Sequence, residues 1–298
     1  MEKSRGARGR RIVRESLAQG HPTLVLLRPE IGLDVDKLQM LLKFKAKGAR
    51  LVEASLDDHG ALVAAVAQAD VVISAIHNLL LQHKLVDAIK EARNIKRFIP
   101  SEFGMDPSRM GSALEPGRVS FDEKMELRRA IEEANIPHTY ISANCFAAYF
   151  CPNLCQMGTL LPPRQNVHVY GDGNVKVIFS DEDDVATYTI KSIDDPRTLN
   201  KTIYLRPQEN ILTQNDLIAT WEKLLGKVLQ KIHVPADEFL ASMKDMDFAS
   251  QVGIGHYYHI FYEGCLTNFD IGEDGAEATQ LYPEVQYTRM DDYMAMYL

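Results

Sequence analysis

Continuous apolar runs alternate with helical periodicity along the first half of the chain. The apolar runs are short and rich in Val, Ile and Leu, which is typical of strands buried on both faces of a sheet. The segments between them repeat apolar residues every three to four positions, which predicts amphipathic helices. The predicted strands are 23–27, 50–54, 70–76, 96–100 and 138–142. The predicted helices are 9–19, 34–48, 57–69, 79–93 and 121–134.

This alternation of strand and helix predicts a parallel sheet, because β-α-β units cross over right-handedly and place helices on both faces. We therefore predict the α/β class, with a Rossmann-type doubly wound parallel sheet over residues 1–150. Beyond that point the pattern is mixed. Residues 151–298 are predicted to form a smaller mixed α/β region that covers the substrate and is partly interleaved with the first domain.

Two local signals stand out in the second half of the chain. Gly171-Asp172-Gly173-Asn174 lies between two apolar runs and predicts a hairpin turn. Ser180 is followed by the acidic run Asp181-Glu182-Asp183-Asp184, which predicts the start of a helix with Ser180 as its cap. Metal binding by the acidic run is the alternative, but carboxylates at the positive end of a helix dipole are the simpler explanation.

Composition excludes several classes of protein. Of 298 residues, 46% are hydrophobic and 25% are charged, which is typical of a soluble globular chain. The net charge of −8 disfavours nucleic-acid binding, since the dense basic run is confined to residues 5–14. Four cysteines without a C-x-x-C pair disfavour a disulfide scaffold or a metal site, and the apolar runs are too short to span a membrane. With no leader pattern, we expect a cytoplasmic protein.

A glycine pair near the start of the chain points towards a dinucleotide. Gly6-Ala7-Arg8-Gly9 opens the first predicted helix, whose N-terminus would face a pyrophosphate, although a lone G-x-x-G is a weak signal. Arg28 follows the strand at 23–27, where NAD enzymes usually carry an acidic residue, and Lys37 lies on the next helix. Both basic residues favour the 2′-phosphate of NADP; the alternative is two solvated surface residues.

The most specific stretch is residues 96–107, Lys-Arg-Phe-Ile-Pro-Ser-Glu-Phe-Gly-Met-Asp-Pro. It resembles the NmrA-like, atypical short-chain reductases of plant phenylpropanoid metabolism, which include isoflavone, phenylcoumaran benzylic ether and pinoresinol–lariciresinol reductases. Within that family, Gly104-Met105-Asp106-Pro107 and residues 117–124 are similar to the pinoresinol–lariciresinol branch. The likeness extends over nearly the whole chain, through 113–125, 141–147, 170–174, 194–202 and 281–288.

The resemblance implies an NADPH-dependent reductase that opens benzylic ether rings of lignans, and a homodimer. Lys124 matches the lysine that removes the para-phenol proton, so that the ring opens to a quinone methide which then accepts hydride. Arg128, one helical turn later, would contact the cofactor or position Lys124. Asn144 follows a strand at the edge of the sheet where cofactors bind. The predicted substrate contacts are His256, Met105, Phe146 and Tyr149.

The residues alone leave alternatives open. By sequence alone, Lys124 is better explained as a surface lysine paired with Asp122, Glu123 or Glu126, and it is the family resemblance that favours the catalytic role. His256, His259 and Glu263 have a helical spacing compatible with a metal, but no further ligand lies nearby in the sequence. Two other functions are a sister reductase acting on a phenylcoumaran ether or an isoflavone, and a non-catalytic NADP-sensing regulator.

The chain also departs from the family pattern at two places. Between Arg5 and Gly6 it lacks the first strand and the rest of the glycine loop, and after Ile76 it lacks part of a longer loop. Each gap is about one strand or one loop long. A missing central strand leaves its two neighbours unpaired, at a cost that a marginally stable domain can hardly absorb. We therefore expect weakened NADPH binding unless the working protein carries these residues.

Overall fold

The computed structural model describes residues 7–27, 34–76 and 78–298, which form two compact units. Each unit is assembled from three stretches of the chain. Unit 1 consists of Met1–Glu102, Glu123–Ile141 and Val185–Ile203. Unit 2 consists of Phe103–Asp122, Ser142–Asp184 and Tyr204–Leu298.

The first half of the chain alternates helix and strand as the apolar pattern predicts. Asp34 and Asp58 cap their helices by accepting hydrogen bonds from backbone amides three residues on, so these two starts are set locally. The helices are α1 (Ala7–Ala18), α2 (Val35–Ala46), α3 (His59–Val66), α4 (Gln82–Ala92) and α5 (Val119–Glu133). The strands are β1 (Leu24–Leu27), β2 (Arg50–Glu53), β3 (Val71–Ile73), β4 (Arg97–Ile99) and β5 (Thr139–Ser142).

The second half contributes shorter and more varied elements. The helices are α6 (Ala147–Phe150), α7 (Glu182–Ser192), α8 (Gln214–Leu225), α9 (Ala236–Ala241), α10 (Phe248–Phe261), α11 (Ala278–Leu281) and α12 (Met290–Ala295). The strands are β6 (Cys145–Phe146), β7 (Asn166–Tyr170), β8 (Lys176–Ser180), β9 (Lys201–Tyr204), β10 (Ile211–Thr213), β11 (Gln230–Val234) and β12 (Gly275–Glu277).

The parallel sheet of unit 1 is divided. Strand β1 pairs in parallel with β2, and β3 pairs in parallel with β4. Within residues 7–27, 34–76 and 78–298, no strand joins the β1–β2 pair to the β3–β4 pair. Strands β1 and β3 are partly exposed, whereas β4 and β5 are buried throughout. The predicted loss of the first strand stays a prediction, because residues 1–6 lie outside the described chain.

Helices α3, α4 and α5 cover the sheet of unit 1 with one apolar cluster. Leu62 from α3, Leu85 from α4 and Leu127 from α5 are buried in it together with Phe98 from β4. Complete burial of such a side chain contributes about 1.5–3 kcal/mol. This packing holds the part of α5 that belongs to unit 1, which carries the predicted catalytic Lys124, against the sheet.

Unit 2 contains a mixed sheet and a separate parallel pair. Strand β8 lies between β10 and β6, and β7 pairs with β11. The predicted hairpin is wrong, since β7 and β8 are correct as strands but belong to different sheets. Gly171 and Gly173 both have positive φ, and the turn that they form bonds to Asn215 on α8. Contact with α8 has replaced pairing between the two strands.

Helix α7 begins at the acidic run, as predicted, but its cap is Asp181 instead of Ser180. One carboxylate oxygen of Asp181 accepts hydrogen bonds from the amides of Asp183 (2.8 Å) and Asp184 (3.4 Å). Asp184 itself accepts a hydrogen bond from the amide of Thr288 at 2.7 Å. Burial raises the pKa of Asp184 to about 7. Among the residues described, no group of three or more His, Cys, Asp and Glu side chains is arranged to hold a metal.

Candidate active site

Helix α5 places Lys124 on the side of the helix that faces the protein interior. Phe121 and Leu127, three residues before and after it, are buried, and Lys124 is half-buried between them in the sequence. Asp122, which was one proposed partner for a surface lysine, instead forms an ion pair with Arg118 (3.1 Å). Asp122 is thus engaged with Arg118, and the catalytic role of Lys124 stays a prediction.

One turn further along α5, Arg128 forms a buried ion pair with Glu102. The guanidinium Nε and Nη2 atoms donate to the two carboxylate oxygens at 2.8 and 2.6 Å, and both side chains are almost fully buried. The guanidinium also lies 4.1 Å from the centre of the Tyr140 ring. Such bidentate geometry holds this turn of the helix in place. The two predicted roles of Arg128, contact with the cofactor and positioning of Lys124, both stay predictions.

In unit 2, His256 on α10 contacts the segment that leads into α5. Its Nε2 atom lies 3.0 Å from the carbonyl oxygen of Gly117 and 3.1 Å from the hydroxyl of Ser120. The imidazole packs against the Phe121 ring at 4.8 Å. A side chain at Gly117 would be tightly placed, because its Cβ would lie 3.2 Å from the carbonyl oxygen of Leu114 and 3.4 Å from both Gly255 and the imidazole. His256, Ser120 and the Gly117 carbonyl thus form one small polar group.

His259, one turn after His256, has a hydrogen bond at each ring nitrogen. Its Nε2 atom accepts from the amide of Leu114 (2.9 Å), and its Nδ1 atom lies 2.6 Å from the carboxylate of Glu263. Because Nε2 faces an N–H group, its lone pair is engaged. The alternative interpretation of His256, His259 and Glu263 as metal ligands is therefore disfavoured by geometry.

The remaining predicted substrate residues are placed individually in unit 2. Met105 packs partly buried beside Cys265, with 3.6 Å between their sulfur atoms. Phe146 immediately precedes α6, and Tyr149 within that helix is half exposed, with its ring 4.9 Å from that of Phe150. The exposure of Tyr149 is compatible with ligand contact. Their roles in substrate binding stay predictions.

Asn144 lies just after β5 in a left-handed conformation, with φ of 58°. Its side-chain amide donates to the carbonyl of Leu205 at 2.6 Å, and its backbone amide donates to the carbonyl of Gly104 at 3.3 Å. Asparagine tolerates this backbone conformation better than most residues. Asn144 therefore has a clear local role in shaping the turn, and its predicted contact with the cofactor stays a prediction.

The predicted cofactor residues are only partly within the described chain. Gly6 and Arg28 lie outside it, and Ala7 and Arg8 are the first two residues of α1. At Gly9, an added Cβ would lie 3.3 Å from the Cβ of Ala75, so α1 passes close to the end of β3. Close helix–strand packing is the role of the last glycine in a dinucleotide fingerprint. Lys37 is partly buried in the first turn of α2.

Sequence reasoning missed a set of buried polar groups after β3 and β4. Gln82 is fully buried, and its Oε1 accepts from the amide of Ser101 at 2.6 Å. Within the described residues, Gln82 Nε2 and the hydroxyls of Ser74 and Ser101 have no hydrogen-bond partner. Ser74 and Ser101 follow the carboxyl ends of parallel strands, where doubly wound sheets bind nucleotides. Unpartnered buried donors there fit a polar ligand such as a dinucleotide.

Nucleophilic cysteine chemistry is disfavoured by burial. Burial raises the pKa values of Cys145, Cys151 and Cys155 well above the ordinary value for a thiol, and it raises the pKa of Cys265 to about 12. A buried thiol that stays protonated is a poor nucleophile.

The structure is that of an α/β protein with unpartnered polar groups after the carboxyl ends of parallel strands. Comparison with known proteins establishes its family. Residues 4–294 match the NmrA-like family, and the chain belongs to it. The predicted resemblance and the Rossmann-type fold are both confirmed.

Individual proteins that are similar to this chain are plant reductases. The chain is 67% identical to an isoflavone reductase homolog of Lupinus albus and 63% identical to a bifunctional pinoresinol-lariciresinol reductase of Linum perenne. In both cases the match covers 97% of this chain and 95% of the relative. A solved structure of AtPrR2 with NADP+ and (+)pinoresinol is 58% identical, with a TM-score of 0.95 over 98% of this chain and 96% of that one. None of the described helices is long and apolar enough to cross a membrane.

Proposed function

We propose that this protein is an NADPH-dependent oxidoreductase that opens the benzylic ether rings of lignans, converting pinoresinol to lariciresinol and then to secoisolariciresinol. The observation that carries the proposal is the match to AtPrR2 with NADP+ and (+)pinoresinol over nearly the whole length of both chains. Several relatives at about 60% identity are pinoresinol or pinoresinol-lariciresinol reductases. A non-catalytic regulator is disfavoured by these relatives.

In the proposed mechanism, Lys124 removes the para-phenol proton of the substrate. The phenolate then expels the benzylic ether oxygen, which takes up a proton from solvent to become the alcohol, and a quinone methide is left. When bound, NADPH supplies the hydride that restores the aromatic ring. Lys124 is half-buried on α5 and is the group that would accept this proton as general base. The ion pair between Arg128 and Glu102 holds the next turn of the helix.

The remaining site residues complete the proposal. Gly6, Ala7, Arg8 and Gly9 would approach the pyrophosphate, and Arg28 and Lys37 the 2′-phosphate. Asn144 would contact the cofactor at the carboxyl edge of the sheet. Residues 1–150 would supply NADP binding, and residues 151–298 would form a substrate-binding region that is partly interleaved with them. The lignan would contact His256, Met105, Phe146 and Tyr149.

A homodimer in the cytoplasm is also part of this proposal. The family resemblance supports the dimer, and four free cysteines, three of them buried, support a reducing compartment. Light scattering on the purified protein and localisation of a fluorescent fusion would test the two statements.

The test is product analysis after incubation of the protein with NADPH and racemic pinoresinol. We expect lariciresinol and secoisolariciresinol from the wild type. Lys124→Ala should lower kcat by about two to four orders of magnitude, the range for loss of a general base, while NADPH binding changes much less. Lys124→Arg should not restore activity, since a guanidinium does not accept a proton at neutral pH.

A substrate analogue methylated at the para-hydroxyl provides the decisive control. It cannot form the quinone methide and should be inert towards the wild type. Normal reduction of this analogue would show that Lys124 is not the base. If instead pinoresinol is not consumed while a phenylcoumaran ether or an isoflavone is reduced, the protein is a sister reductase, the alternative favoured by its 67% identical relative.

A further inference from the structure

Three contacts connect α10 with the segment from Leu114 to Ser120. Gly255 packs against the backbone of Gly117, with a Cβ built on Gly255 lying 3.4 Å from the Gly117 Cα. His256 reaches the Gly117 carbonyl and the Ser120 hydroxyl. His259, one turn later, accepts the hydrogen bond from the amide of Leu114. All of these residues belong to unit 2.

The segment is also coupled internally, so that Leu114 influences the position of Ser120. The carbonyl of Leu114 accepts from the amide of Arg118 at 3.0 Å, and the carbonyl of Gly117 accepts from the Ser120 hydroxyl at 3.3 Å. The Leu114 amide that bonds to His259 and the Leu114 carbonyl that bonds to Arg118 lie on either side of one Cα. A shift of Leu114 therefore displaces the Gly117 carbonyl and the Ser120 hydroxyl, the two groups that contact His256. Shifts of about 1 Å in such groups cost up to about a hundredfold in rate.

The hydrogen bonds determine which nitrogen of His259 carries the proton. The backbone amide of Leu114 is a donor and nothing else, so Nε2 of His259 must be unprotonated to accept from it. The single proton of the neutral ring then lies on Nδ1, where it is donated to the carboxylate of Glu263 at 2.6 Å. His259 is only 4% exposed, which leaves little room for another rotamer.

We propose that His259 and Glu263 are positioning residues, which fix the Leu114–Ser120 segment and through it the interaction of Ser120 and the Gly117 carbonyl with His256. Glu263 selects the tautomer of His259, and His259 orients the Leu114 peptide. Neither residue contacts the substrate in this scheme. The expected change in kcat rests on the proposed reductase function, whereas the expected NMR signals of His259 and His256 do not.

The first test is a measurement of the His259 ring by nitrogen-15 NMR in the full-length protein. We expect an Nε2 signal in the range of an unprotonated nitrogen and an Nδ1 signal in the protonated range. Glu263→Gln should retain this pattern because an amide oxygen still accepts from Nδ1. A proton on Nε2 in the wild type would overturn the proposal, whatever the enzymatic activity.

The second test compares His259→Leu, His259→Gln and the control His138→Leu. His138 is likewise buried and bonds to a backbone carbonyl, that of Ile136, but it belongs to unit 1. His259→Leu removes the acceptor for the Leu114 amide and fills the same place with an apolar side chain. His259→Gln retains an oxygen acceptor at that place.

We expect His259→Leu to lower kcat for pinoresinol by about 10- to 100-fold per NADPH-binding site, with little change in the KM for NADPH, and to shift the ring resonances of His256. His259→Gln should recover most of the rate. His138→Leu should lower stability without either effect.

A purely structural role would give a different pattern. His259→Leu would then lower the melting temperature while the folded fraction kept its wild-type kcat and an unchanged His256 spectrum, which would refute the positioning role. If the wild type itself does not reduce pinoresinol, the proposed function fails, but the His256 resonances in His259→Leu still decide the positioning role.

Discussion

The buried ion pair of Glu102 and Arg128 offers the sharpest test of how unit 1 holds α5. Replacing Arg128 by Met leaves a carboxylate whose side chain is 2% exposed, without its bidentate partner. Replacing Glu102 by Met leaves a guanidinium that is 6% exposed without its acceptor. Removal of one member of a buried pair costs about 3–5 kcal/mol, because the remaining charge is uncompensated.

The double variant with Met at both positions should cost much less than the sum of the single variants. Both charges are then absent, and the replacement side chains fill similar volume. We expect Arg128→Met to cost somewhat more than Glu102→Met, because it also removes the contact with the Tyr140 ring, worth about 0.5–2 kcal/mol. Arg128→Lys should recover little, since an ammonium cannot form two parallel hydrogen bonds.

The assay is urea unfolding followed by far-UV circular dichroism, with the coupling energy taken from the double-mutant cycle. Arg129→Met is the matched control: Arg129 is exposed on the same helix, and its replacement should change stability by less than about 0.5 kcal/mol. If the losses of stability in the two single variants simply add in the double variant, Glu102 and Arg128 are not energetically coupled, and the ion pair does not hold α5.

Three further measurements address other parts of the molecule. Gly173→Ala should destabilise the protein by about 1–3 kcal/mol more than Gly226→Ala in urea unfolding. Both glycines have positive φ, but a Cβ at Gly173 would lie 2.6 Å from a side chain, whereas a Cβ at Gly226 would meet nothing within 4 Å. Equal losses of stability would contradict this steric reason. The native pKa of Asp184, about 7 against 3.8 in the unfolded chain, means that the native state binds more protons and loses stability as pH rises between those values. Asp184→Asn should therefore raise the melting temperature more at pH 8 than at pH 5, and an identical difference at both pH values would argue against a buried, proton-binding carboxyl. Insertion of four apolar residues and Gly-Gly-Ala between Arg5 and Gly6 should raise the melting temperature and tighten NADPH binding in a fluorescence titration, by supplying a strand between β1 and β3; no change in either would mean that the chain completes its sheet in another way.

The sequence by itself determined the local elements and the family. Apolar runs and helical periodicity are short-range signals, so β1 and α1 to α5 lie within a few residues of their predicted bounds. The motif at 96–107 identified the reductase family, which the comparisons confirm. Each of these inferences depends on residues that are adjacent in the chain.

Tertiary structure decided the partners of those elements. Nothing near Arg128 in the sequence indicates that Glu102, 26 residues earlier, receives its guanidinium, and the Gly171–Asn174 turn is a good hairpin signal that contact with α8 overrides. Likewise, the spacing of His259 and Glu263 on α10 does not reveal that the amide of Leu114 occupies the other ring nitrogen. Hydrogen bonds between distant segments depend on which segments the packing of the whole chain brings together, and therefore no local pattern predicts which segments will meet.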